Sequence, residues 1–158
     1  MTQLHDRLFY GGCRAYNTSS QRSRSMVQSW LSECLRDHTR CLSPSTDDWT
    51  PTRVLDIGIA SSTTWKLCIP EEDGIRVPSC TTLSYRWGNT AGLNIPMLTT
   101  KSVTELRAGL DLCRLPQVFQ GVISIVQELG IRFLWIGSLC IIQDVLSGDS
   151  ENECAQMW

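Results

Sequence analysis

Residues 133–143 read FLWIGSLCIIQ, an unbroken uncharged run held between Arg132 and Asp144. Its first part is short, rich in Ile, Phe and Trp, and flanked by Gly130 and Gly137. That combination predicts a buried strand over RFLWIG (132–137) rather than a helix. Whatever fold this chain adopts must place that strand inside it. The residues that follow, Gly137 to Leu139, then emerge at the strand's carboxyl end.

The flanking segments supply what such a strand needs. Pro116 is suited to open a helix, because its missing N–H would find no partner there in any case. Val118, Phe119, Val122, Ile123, Val126 and Leu129 form that helix's apolar stripe, and Gly130 stands where a left-handed cap belongs. Ser102 with Glu105 fits a capping box at the start of another helix, over about 102–112. Three strand-like runs, RVLDIGI (53–59), WKLCI (65–69) and CTTLSYRW (80–87), are separated by turn residues, and the first two could pair as a hairpin. A last helix is expected near Asp149. Upstream, Met26, Val27, Trp30, Leu31, Cys34, Leu35, His38 and Cys41 fall on one face of an amphipathic helix. Residues 1–25 show no period and read as a flexible leader.

Strand, helix, helix, strand, helix implies crossover connections and an α/β fold: a mostly parallel sheet covered on both faces. In such sheets ligands bind at the carboxyl ends of the strands. That edge would carry Tyr85, Arg86 and Trp87 from one strand and Gly137 to Leu139 from the other.

Composition narrows the partners. At 158 residues the chain is one domain's worth, with 42% hydrophobic and 19% charged residues. A formal net charge of -2 gives no global pull toward nucleic acid or an anionic membrane. Asp6 and Arg7 interrupt the opening stretch where a secretory apolar region would begin, and that stretch is too short to span a bilayer. The expected location is therefore intracellular, in the cytoplasm. The eight cysteines then read as reduced thiols, and no CxxC pair occurs among them.

The strings LSYRWG (83–88), LP..FQ..I (115–123), LGIRFLWI.SLCIIQD (129–144) and E.A.M (153–157) resemble the fungal heterokaryon-incompatibility (HET) domain. WL..C...H..C (30–41) resembles a frequent lead-in to it. The resemblance implies self/non-self recognition ending in programmed cell death, through self-association or contact with other cell-death proteins. The family is similar to TIR domains, flavodoxin-like modules that act as assembly adaptors or as NAD-cleaving enzymes. By that likeness Asp149 and Glu153 match the family's DW..E pattern, with Ser150 in place of the tryptophan. Glu153 would be the catalytic carboxylate and NAD the substrate. Gly137 and Gly121 stand where the family carries aspartate. The family's domain also continues past E.A.M, so the resemblance implies an N-terminal part of a HET domain over 80–158, after a leader (1–25) and a lead-in helix and strand pair (26–79). An inert fragment of a larger protein is the remaining alternative.

Each candidate site has a plainer reading beside it. Cys34, His38 and Cys41, at i, i+4 and i+7 of one helix, could supply three zinc ligands. No fourth is evident, and the same residues continue the apolar stripe. Arg86 could pair with a phosphate and Trp87 stack on a base, with Ser138 and Asp144 beside them as cofactor-binding residues. Tyr85, two residues from Trp87 on a strand, more simply packs inward. Glu153 is also a first-turn helix carboxylate of the kind the helix dipole favours. Asp144 has an ordinary role as a loop or capping residue. Cys140 is most simply a buried hydrophobe. No GxxxxGK or GxGxxG loop occurs.

Overall fold

The computed structural model describes residues 17–18, 20–38, 50–86, 96–144 and 148–156. It divides into two compact units, Met1–Asp47 and Asp48–Trp158.

In the first unit, helix α1 (Gln21–Asp37) begins inside the polar stretch expected to be leader. Ser20 starts it, its Oγ accepting the Ser23 N–H at 3.2 Å and satisfying one orphan donor of the first turn. The helix stops at Asp37, and His38 is extended. None of its residues is buried, and Met26, Val27, Trp30 and Leu35 are exposed.

The second unit contains strands β1 (Val54–Asp56), β2 (Thr64–Cys68), β3 (Cys80–Leu83), β4 (Leu110–Asp111) and β5 (Phe133–Ile136). Helices α2 (Pro70–Asp73), α3 (Val103–Ala108), α4 (Gln117–Glu128), α5 (Gly137–Cys140) and α6 (Asp149–Gln156) connect and follow them. The strands form one sheet in the order β3-β5-β1-β2-β4. The RFLWIG strand is therefore internal, with β3 on one side and β1 on the other.

The expectation of a mostly parallel, TIR-like sheet is corrected here. Only β3 and β5 run parallel, with Thr81 opposite Leu134 and Leu83 opposite Ile136. The pairs β5–β1, β1–β2 and β2–β4 are all antiparallel. The cause is the β1–β2 hairpin: a connection that short cannot return a parallel strand, which takes a crossover of a dozen residues or more. The hairpin then sits inside the sheet, against β5, and fixes an α/β unit with a mixed sheet.

Both faces carry apolar clusters, but of unequal size. One face carries Leu55, Leu67, Leu134 and Ile136, packed with Phe119, Ile123 and Val126 of α4 and Leu106 of α3. Each such aliphatic or aromatic side chain contributes roughly 1.5–3 kcal/mol by leaving water. The other face has a smaller cluster of Val54, Cys68 and Phe133 under Ile75 and Val77. Along β2 the side chains alternate, with Thr64 and Lys66 exposed and Trp65 and Leu67 buried. A sheet with antiparallel strands tolerates such a half-wet face.

Local signals held unevenly. Helix α4 ends in the expected glycine cap: Gly130 has φ 75, its N–H donates to Gln127 O at 3.0 Å, and Ile131 N–H donates to Val126 O at 3.2 Å. Val118, assigned to the buried stripe, is exposed. Ser102 makes no capping bond to α3; its Oγ instead accepts the Thr99 N–H at 2.8 Å. The helix expected over 102–112 stops at Ala108, because Gly109 turns into the left-handed region at φ 95 and the chain continues as β4.

Candidate functional site

The parallel register of β3 and β5 brings their carboxyl ends together. Just beyond them, the Tyr85 hydroxyl meets Ser138 Oγ at 2.9 Å. Tyr85 is steadied by Phe119, edge to face at 5.2 Å between ring centroids. Ser138 is fully buried, and its carbonyl accepts the Leu98 N–H at 2.8 Å. The Leu98 carbonyl in turn accepts the Gln143 N–H at 2.8 Å. The segment around Leu98 is thus laced along the residues that follow β5. Asp144 completes the lacing, taking the Thr100 N–H at 2.8 Å and the Thr100 hydroxyl. Those two bonds hold the Asp144 carboxyl below the usual carboxylate range.

Of the proposed binding residues, Ser138 therefore stands at the rim as a buried hydroxyl bonded to Tyr85, and Asp144 holds a strap. Arg86 is exposed. Trp87 lies outside the described residues. Gly137 opens α5, and a Cβ there would lie 3.5 Å from the Trp135 ring, an ordinary contact.

Glu153 lies in a different setting from the one its pattern suggested. It is 3% exposed, and its Oε1 faces Arg53 Nη2 at 3.3 Å. The same Nη2 donates to Asp149, at 2.5 Å to Oδ1 and more closely to Oδ2. Arg53 Nε donates to the Cys140 carbonyl at 2.7 Å, and Asp149 Oδ2 accepts the Ile142 N–H at 2.7 Å. One guanidinium thereby ties α6 to the last residue of α5 and to the entry of β1. Glu153 Oε2 has no hydrogen-bond partner among the described residues. Charges this enclosed persist only because they are paired, and losing one partner is costly.

Sequence reasoning passed over Arg53. The available signal was a single charge opening the apolar run RVLDIGI, where a buried charge needs a partner. Asp56, inside the same run, repeats the pattern. It is buried, and Arg132 grips it with two bonds of 2.8 Å, while Gly58 N–H adds a third at 3.1 Å. The Arg132 guanidinium holds the Asp56 carboxyl below its ordinary range.

The remaining candidates separate cleanly. The zinc reading needs one helix face from Cys34 through Cys41, but the helix ends at Asp37 and His38 leaves the helical register. Cys41 lies outside the described residues. Among the described residues no group of three ligating side chains converges. Cys140 is buried, which pushes its thiol up to about 12, and burial takes Cys80 to about 11. Neither is poised as a nucleophile at neutral pH. No helix among the described residues is long and apolar enough to cross a membrane.

A model of the heterokaryon incompatibility protein (HET) family matches residues 81–158. No curated protein and no solved structure matches the chain. The matched stretch holds most of β3, all of β4 and β5, the Tyr85–Ser138 contact, and Asp149 with Glu153. Strands β1 and β2, together with Arg53, precede it. Over residues 81–158, just under half of its length, the chain is similar to the heterokaryon incompatibility (HET) family.

Proposed function

We propose that this chain serves fungal heterokaryon incompatibility, the self/non-self recognition that ends in cell death, through protein contact and assembly. The carrying observation is the state of Glu153. The carboxylate that a NAD-cleaving site would need is enclosed and faces Arg53, in an ion cluster that also holds Asp149. A cation this close would oppose the role of steadying an oxocarbenium-like centre as nicotinamide leaves. The partner class is a second copy of the chain or another cell-death protein.

A second reading, a TIR-like NAD hydrolase in the flavodoxin-like mould, draws on one specific feature. Glu153 Oε2 is left without a hydrogen-bond partner among the described residues, in a unit whose β3–β5 pair is parallel. One experiment separates the two. Purified protein is incubated with NAD while its association is followed by sizing, and the chain is overexpressed in a fungal host. Assembly or cell death without nicotinamide release supports the contact reading. Nicotinamide release that vanishes in Glu153→Gln, at an unchanged melting temperature, would replace it with the enzyme.

A further inference from the structure

Away from the rim and the Arg53 cluster, a cavity of about 440 Å³ opens on the half-wet face of the sheet. Its walls come from the β1–β2 hairpin, the α3–β4 junction and Arg132. That volume falls in the range of small-molecule sites, roughly 300–1,000 Å³.

The charges in its wall do not cancel. Asp56 stands directly opposite Lys66 in the strand register, the natural partner for an ion pair. Both Asp56 oxygens, however, are already taken by Arg132 Nε and Nη2. Lys66 is therefore left without an ion-pair partner among the described residues. Arg132 spends Nε and Nη2 on Asp56, and Nη1 makes no such bond. Its side chain is 55% exposed. Thr64, exposed and two residues from Lys66 on the same strand face, lines the cavity as well. Two cations against one anion leave the wall with a net positive charge and with donors in excess of acceptors.

We propose that this cavity binds a small oxyanion, a phosphate- or carboxylate-bearing ligand. Lys66 and the outer edge of Arg132 supply the charge, and the Thr64 hydroxyl supplies a further hydrogen bond. Asp56 acts from behind, fixing the plane of the Arg132 guanidinium so that its free edge is presented in one orientation. Charge-assisted bonds of this kind are about twice as strong as neutral ones, which favours an anion over a neutral ligand.

The full chain, isotopically labelled, is titrated separately with inorganic phosphate and with succinate while the backbone amide resonances are followed. At least one anion should move the amides of Gly58, Lys66 and Gly109 together, saturating below about 10 mM. Response to phosphate alone identifies the ligand class as phosphate; response to succinate alone identifies it as carboxylate. Lys66→Gln, at an exposed position that leaves the melt unchanged, should weaken binding roughly tenfold. Lys101→Gln, at an exposed lysine outside the cavity, should not. Absence of saturation with both anions, saturation confined to other residues, or undiminished binding by Lys66→Gln would overturn the proposal.

Discussion

Replacing Arg53 by methionine keeps much of the side-chain volume and removes the cation that faces Glu153. Arg53 is 10% exposed at its side chain, and Asp149 and Glu153 are 17% and 4% exposed. The loss leaves two carboxylates enclosed together and strips the Cys140 carbonyl of its donor. Breaking a buried ion pair from one side costs about 3–5 kcal/mol. A domain's whole stability is about 5–15 kcal/mol, so the variant should retain only part of its folded margin. For a unit of this size the melting temperature should fall by about 10 °C or more. Urea and thermal melts followed by circular dichroism read the change directly. The triple variant Arg53→Met, Asp149→Asn, Glu153→Met should recover most of it. Asparagine keeps an oxygen for the Ile142 N–H, and no charge remains to be paired. A loss below about 1 kcal/mol for Arg53→Met, the level of an exposed pair, would refute the claim that this cluster is enclosed.

Gly121 is exposed within α4 and a Cβ there would touch nothing within 4 Å, so Gly121→Ala should stabilise the fold by about 1 kcal/mol in a urea melt. Alkylation at neutral pH followed by peptide mapping should mark exposed Cys113 quickly and spare Cys68, Cys80 and Cys140 until the protein unfolds. Asp56 binds its proton more weakly folded than unfolded, so its contribution is complete above the ordinary carboxylate range and is lost as pH falls through the depressed value. Acid melts should therefore show a shallower low-pH loss in Asp56→Asn, which starts from lower stability at neutral pH.

How much of this was legible in the sequence depends on the range of the signal. The internal strand could be read from 133–136 because apolar burial is written into its own residues. The cap at Gly130 could be read because left-handed geometry favours glycine. Gly109 sends the same signal, but the apolar residues on either side of it continue a helical pattern that hides β4. Strand direction is illegible for a different reason. The hairpin was visible in the turn residues between 59 and 65, yet no local pattern says that β1 inserts beside β5 rather than lying outside the sheet. The ion cluster is the extreme case, since Arg53 and Glu153 meet across 100 residues of chain. Sequence could announce only that Arg53 and Asp56 are charges in apolar company and so require partners. The family strings marked Glu153 and Ser138 without revealing that one faces a guanidinium and the other is bonded to Tyr85.

The rim, the Arg53 cluster and the anion cavity all depend on β5 running between β3 and β1, parallel to one and antiparallel to the other. Backbone proton contacts measured by nuclear Overhauser spectroscopy on the labelled chain test that directly. The expected spectrum joins Phe133 to Asp56 and Leu134 to Leu55 in antiparallel register, and Leu134 to Thr81 and Trp135 to Thr82 in parallel register. Sequential helical contacts through 133–136, or pairing of that segment with any other strand, would contradict it.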